Sequence, residues 1–337
     1  MSEQASASSA SSASLESSAG ALPASFEYGD LTSGEIFWRD HQVWLHEHGY
    51  LLRPRFLPGS LARAHWVDDP RNHAVPILET LEVPDDKHIT IIVMPLLRKY
   101  CQPRFDTFGE AVDFFSQIIE GVKFLHDHNI AHRDLNGLNI MMEGSKMFPD
   151  GWSPHHPKLN RDFYSGRARL YTRTQRPPKY YIIDFGISRQ YDTRDPPPLE
   201  DPHRGGDKSV PEFQLTEAGE APEPCDPFPT DIYYLGNLIL HDFVEGHPDY
   251  EYRNRLRGFG FMRDLAKDMT APDPAERPTI DEVVEPFAAI RRSLNFWTLR
   301  SRVVKVRGFP DPRRPLRHWC LRIGYILRRV PAIPSYQ

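Results

Sequence analysis

Two short stretches, NIAHRDLNGLNIMM at 129–142 and YYIIDFGISR at 180–189, constrain this chain more than any bulk property. In the first, His132, Arg133 and Asp134 are followed, five residues after the aspartate, by Asn139. In the second, the apolar run YYII ends at Asp184, Phe185 and Gly186. Phosphoryl transfer needs a carboxylate beside the attacking hydroxyl and oxygen ligands for magnesium, because its transition state spreads negative charge that must be positioned and neutralised. The spacing assigns Asp134 as the base, and Asn139 and Asp184, the latter closing a strand, as magnesium ligands. Either stretch alone is weak evidence, since an aspartate after an arginine and a glycine turn after a strand are both common.

Three further signatures follow in order. Val210, Pro211 and Glu212 close a segment that begins at Asp184. Asp231 and Gly236 lie on a helix for which Thr230 is the expected N-cap. Arg277 precedes a helix capped by Thr279 and Glu282, and is the expected buried partner of Glu212. With this set, the chain from about 70 to 290 resembles a eukaryotic protein kinase; small-molecule kinases of the aminoglycoside phosphotransferase type fit less well. The wording between the motifs, including DPRNHAVPILETLEVPDD, YTRTQRPPKYYIIDFGISR and CDPFPTDIYYLGN, is similar to that of a family of protein kinase-like proteins of mushroom-forming fungi. The resemblance implies an α+β fold with a mostly helical C-lobe and a small N-lobe sheet, serine/threonine-type chemistry, and ATP with magnesium as cofactors. It also implies that Met94 is the gatekeeper and that the backbone from Pro95 to Leu97 contacts adenine.

The departures from that pattern matter as much. Residues 1–74 contain no lysine, and Lys87, in the PDDKH turn, is the only lysine before Met94. Gly29, Gly34, Gly49 and Gly59 stand too far apart for one phosphate-cradling loop. LPGSLARAHW runs directly into VDDPRNH, where the relatives carry a longer segment, so most of the N-lobe is expected to be missing. Asn136 and Leu138 occupy the positions where a kinase keeps a cation after its catalytic aspartate. Forty-five positions separate Asn139 from Asp184, which reads as a surface insertion or a partner-binding loop. Two function classes follow: a serine/threonine-type kinase with lost or much reduced activity, or a pseudokinase that binds and scaffolds without turnover.

The rest of the chain sets the boundaries. Residues 1–24 are Ser/Ala-rich and expected to be disordered, 25–66 a helical extension with a helix near 33–48, 67–98 residual N-lobe strands and hinge, 99–292 the C-lobe, and 293–337 a basic tail. Phe115, Ile118, Ile119, Val122 and Leu125 recur at helical spacing as core. Three scattered cysteines give no disulfide framework or metal spacing, no apolar run approaches a membrane span, and the expected location is the cytoplasm. A net charge of −5 argues against nucleic acid. The segment 300–329 nevertheless carries ten Lys/Arg against one Asp. Interleaved with Trp319, Leu321, Ile323, Tyr325, Ile326 and Leu327, these cations suit either a helix or strand packed back on the acidic lobe or a peripheral membrane contact.

Overall fold

A computed structural model describes residues 69–336, apart from 85, 203–206, 216–218, 220, 249–254 and 307–312, together with His41 and Trp44. The chain divides into units 1–57 and 58–337, and everything below concerns the second. The expected disordered tail and the helix at 33–48 with its Thr32 cap fall outside the described residues.

Apolar residues at alternate positions of one strand and a β-branched run at 89–93 in the other form the first hairpin. Strand β1 (Glu79–Val83) buries Leu81 and Val83 and turns its other side chains to solvent, and pairs antiparallel with β2 (Asp86–Val93). Lys87, expected in the turn, belongs to β2, and its side chain lies outside the described residues. Residues 73–75, ahead of β1, pair with the later β6: Val75 N–H donates to Ile182 O (3.0 Å) and Ile182 N–H to His73 O (2.7 Å). After residues 94–96, β3 (Leu97–Lys99) opens a three-stranded sheet in the order β3-β5-β6, with β5 at Ile140–Glu143 and β6 at Tyr180–Ile182.

Helix α1 (Phe108–Asp127) is the spine. Thr107 caps it through the Glu110 N–H, and Phe115, Ile118, Ile119, Val122 and Leu125 are all buried, as the helical spacing predicts. Strand β4 (Ile130–Ala131) follows it and pairs with β7 (Arg189–Gln190). Helix α2 (Pro227–Ile239) starts earlier than expected: Asp226 is its N-cap, accepting the Phe228 N–H at 3.0 Å, and Pro227 occupies the first turn. Thr230 therefore lies inside the helix, and its hydroxyl donates to Glu212 Oε1 at 2.8 Å. Helix α3 (Arg263–Met269) packs on α2 at Gly236, where a Cβ would stand 2.7 Å from Met269 Cβ and 2.9 Å from Thr270 Cγ2. Helix α4 (Ile280–Ser293) begins with the expected Thr279–Glu282 capping box.

The stretch between Asn139 and Asp184 is only partly a surface insertion. Residues 161–167 stand in solvent, but both ends are core. Met147, Phe148 and Trp152 are buried, with the Arg98 guanidinium 4.2 Å over Phe148 and 4.9 Å over Trp152. Arg173 is buried over the Phe105 ring at 4.2 Å and donates to Tyr180 Oη (2.9 Å), Tyr100 O (2.6 Å) and Pro103 O (2.7 Å). Three hydrogen bonds from this buried cation tie the insertion to residues 100 and 103 and to Tyr180 of β6. In the tail, α5 (Phe296–Leu299) and α6 (Arg313–Leu327) pack back on the lobe: Tyr325 is buried, with its Oη 2.7 Å from Thr172 Oγ1. Among the described residues no helix is long and apolar enough to cross a membrane.

Candidate active site

The loop carrying Asp134 is held from below by one buried carboxylate. Asp231, on α2, accepts the His132 N–H at Oδ2 and the Arg133 N–H at Oδ1, both at 2.7 Å, with His126 Nε2 3.2 Å from Oδ2. Two consecutive backbone donors that would otherwise be buried without partners are thereby satisfied. Arg133 takes a left-handed φ of 70° at this point, a state that costs a non-glycine residue about 1–2 kcal/mol. His132 is fully buried. Its Nδ1 accepts the Asp134 N–H (3.3 Å), so the proton sits on Nε2, which donates to Ile183 O (3.0 Å). Its ring meets Phe185 edge-on at 5.0 Å.

Asp134 is half-buried and surrounded by donors. Asn139 Nδ2 donates to both its Oδ2 and its backbone carbonyl, each at 2.8 Å. Asn136 Nδ2 donates to Oδ1 at 2.7 Å, and the Asp207 N–H reaches the same oxygen at 3.0 Å. Asn136 is itself fixed, its Oδ1 capping the 3₁₀ turn Gly137–Asn139 through the Leu138 N–H. With the Asn139 amide nitrogen turned to Asp134, its Oδ1 oxygen is left on the opposite side of the amide. The Asn139 carbonyl accepts the Ile183 N–H at 2.9 Å, which ties this turn to the strand that delivers Asp184. Asp184 is exposed, has a φ of 65°, and accepts the Gly186 N–H at 3.4 Å. Asp134, Asn139 and Asp184 thus stand on one connected backbone framework. Met94 and Pro95 lie half-buried between β2 and β3, and Leu97 is the first residue of β3, paired with Glu143.

Beyond Asp184, Glu200 gathers the segment. Its carboxylate accepts from Arg189 Nη1 (2.7 Å) and Tyr191 Oη (3.1 Å) and lies 3.6 Å from Arg133 Nη2. Burial, together with the Glu200 charge, pushes the Tyr191 phenol well above its ordinary range. A cavity of about 610 Å³ opens here, lined by Arg133, Arg189 and Glu200 among others. The segment closes on Glu212, which Arg277 grips with both nitrogens at 2.8 and 2.7 Å, as the motif order predicts.

Residues 73–255, more than half of the chain, match the family model for the protein kinase domain. The chain belongs to the protein kinase family. Its kinase domain is similar to the serine/threonine-protein kinase CAK1 of Saccharomyces cerevisiae, 33% identical over 100 residues that make up 30% of this chain and 20% of that protein. It is similar also to the serine/threonine-protein kinase PTK1/STK1 of the same yeast, 24% identical over 61% of this chain and 35% of the relative. A third relative is the serine/threonine-protein kinase PKH2 of Candida albicans, 23% identical over 55% of this chain and 18% of the relative. The chain thus spans about a third or less of the length of these relatives. The α+β architecture, a helical lobe with small sheets, is that of the kinase fold.

Sequence reasoning missed three parts of this kinase domain. Asn136 was read as an absent cation, although an Asn two residues after Asp134 is placed to donate back to it. Asp207 acts through its backbone N–H, which no side-chain pattern signals. Glu200 stands in the LEDP stretch, whose only cue was an acidic residue between two arginine-bearing segments.

Proposed function

We propose that this kinase domain carries a serine/threonine-type site for phosphoryl transfer from ATP whose turnover is much reduced. In this reading Asp134 is the base, Asn139 and Asp184 hold magnesium, and Met94, Pro95 and Leu97 face adenine. The supporting observation is the frame around Asp134: Asp231 fixes the loop and Asn139 holds the carboxylate at 2.8 Å. For magnesium the donor set is suitable, since the exposed Asp184 carboxylate and the Asn139 side-chain carbonyl are hard oxygens, and magnesium takes one or two protein oxygens plus phosphate and water. When bound, the ion supplies charge neutralisation to the phosphates. The phosphate-facing side is poorer. No lysine occurs in residues 1–74, and a neutral amide, Asn136, occupies the cation's place beside Asp134. Removing one such preorganised charge costs roughly 10²–10³ in turnover.

A second reading, a docking module without turnover, is favoured by the occupancy of Asp134: both oxygens already accept protein N–H groups, Oδ1 from two donors. Thermal melting with and without Mg-ATP, followed by radiolabel transfer onto generic protein substrates, tests the pair. Slow transfer that vanishes in Asp134→Ala and Asp184→Asn supports the reduced kinase. Turnover of about 1–100 s⁻¹, the ordinary kinase range, overturns it. Neither nucleotide stabilisation nor transfer leaves the docking module.

A further inference from the structure

Helix α6 is amphipathic in an unusual sense, because the face it presents to solvent is the apolar one. Leu316, Trp319, Ile323 and Leu327 are 68, 54, 52 and 77% exposed, and their spacing of three and four residues places them on a single stripe. The opposite face carries Tyr325 and Arg322, which are buried. Tyr325 meets Thr172, and the Arg322 guanidinium lies 5.1 Å from the Trp297 ring and 4.9 Å from the Trp319 ring. The exposed stripe therefore continues into α5, where Trp297 and Phe296 are exposed as well.

Charge decides what such a stripe suits. Residues 313–336 contain Arg313, Arg314, Arg317, Arg322, Arg328 and Arg329 and no acidic residue, while the whole chain is at −5. At 100° per residue Arg317 lies on the flank of the stripe beside its N-terminal end, and Arg328 and Arg329 continue past its C-terminal end. From Leu316 to Leu327 the stripe runs about 16 Å along the axis, too short to span a bilayer but suited to lying in its surface. It is a ridge rather than a groove. A lipid interface deforms to accept a ridge, takes tryptophan at headgroup depth, and offers phosphate to the flanking guanidinium groups.

We propose that α6, continued by Trp297 of α5, is a peripheral docking surface for an anionic lipid bilayer. Apolar insertion supplies the hold and the arginines supply preference for anionic headgroups, so attachment weakens as salt screens the charges. The surface is independent of catalysis, since it shares no residue with the Asp134 site.

The test is flotation of the full chain with vesicles of phosphatidylcholine alone or with about 30% phosphatidylserine, at low and at high salt. Binding is expected to the anionic vesicles at low salt and to fall roughly tenfold or more at high salt. The double substitution Trp319→Ser/Ile323→Ser should abolish it. Arg317→Glu/Arg328→Glu should reduce it about tenfold, and Tyr164→Ser, on the exposed insertion, should leave it unchanged. All substituted side chains are on the surface, and a thermal melt of each variant confirms that it is folded. No binding to anionic vesicles at low salt overturns the proposal. So does binding that the Trp319/Ile323 variant retains, or concentration-dependent dimerisation lost in that variant without vesicle binding, which assigns the stripe to a second copy.

Discussion

Replacing Arg277 by alanine removes more than one ion pair. All five guanidinium N–H groups are used: Nε donates to Ala271 O (2.8 Å), Nη1 to Glu212 Oε1 (2.8 Å) and Pro229 O (3.2 Å), and Nη2 to Glu212 Oε2 (2.7 Å) and Pro272 O (3.2 Å). The Arg277 side chain is completely buried and that of Glu212 is 8% exposed. After the substitution the carboxylate keeps the Thr230 hydroxyl and its own backbone N–H but loses both guanidinium bonds, and three carbonyls lose their donor. Leaving a buried charge without its partner costs about 3–5 kcal/mol. For a domain of this size each kcal/mol moves Tm by about 2–4 °C, so Arg277→Ala should lower it by roughly 10 °C, with a matching shift of the urea midpoint.

The same pair sets a pH dependence. Burial alone would raise the Glu212 carboxyl, but the Arg277 hydrogen bonds and charge outweigh it, and the group lies below its ordinary 4.5. A depressed acid contributes stability above that value and loses it as pH falls through the folded-state value, so the difference between wild type and Arg277→Ala should narrow below about pH 4.5. The double variant Arg277→Met/Glu212→Leu separates charge from packing, because an apolar replacement of both partners is often nearly neutral. A melting temperature within 1 °C of wild type for Arg277→Ala, or a double variant no more stable than the single one, would refute the reasoning.

Three other outcomes are expected. Gly236→Ala forces a methyl against Met269 and Thr270 and should cost about 1–3 kcal/mol in urea unfolding, whereas Gly166→Ala, which meets nothing within 4 Å, should lose far less and report only its φ of +95°. Asp113, on α1 and 6% exposed, is pushed by burial up to about 7, with Gln117, Arg291 and Arg173 opposing and Glu110 adding to the rise. The folded chain therefore holds a proton that the unfolded chain loses above 3.8, stability falls as pH rises from there to about 7, and Asp113→Asn should remove a decline on the order of 2–4 kcal/mol. Glu200→Gln takes the charge from between Arg133 and Arg189, and should speed amide exchange at Tyr191 and at Glu200 itself, whose N–H bonds Cys225 O at 3.0 Å; unchanged protection would show that the segment is held elsewhere.

How much of this was legible depends on what each residue type can do alone. Helix α1 was readable because five apolar residues at a 3.6 period have one packing solution, and the Glu212–Arg277 pair because the motif order placed an acid and a guanidinium where only a buried fork suits both. The start of α2 was misread because Thr230 and Asp226 are both good caps; Pro227, favoured in a first turn and unable to donate, was the signal that favours Asp226. Arg173 was invisible, since a basic stretch such as YTRTQRPPK does not say which cation turns inward when its partners are backbone carbonyls from residues 100 and 103. Tail periodicity was visible but its polarity was not. Trp319, Leu321, Ile323, Tyr325, Ile326 and Leu327 read as one apolar cluster, yet only Tyr325 of these is buried, and the aromatic rings of Trp297 and Trp319 offer Arg322 a cation–π site that draws this charge inward.

The matched motifs also carry less catalytic information than their number suggests. Asp231 serves backbone N–H groups, His132 bridges Asp134 to Ile183, and Arg277 closes on Glu212, so each is accounted for by folding alone. Even Asp134 accepts three protein hydrogen bonds. Losing such groups destabilises the lobe whether or not phosphate is ever transferred, which gives a chain without turnover the same physical reason to keep them. Asp184 differs. It is exposed, adopts a left-handed backbone, and makes one long hydrogen bond to Gly186, two residues away. That bond caps the turn Phe185–Ile187 and leaves the rest of the carboxylate in solvent, where the kinase reading proposed above places magnesium. Asp184→Asn is therefore the substitution that separates the two readings of this lobe: with a kinase it removes magnesium-dependent nucleotide stabilisation while the melt without nucleotide stays put, and with a docking module it changes neither.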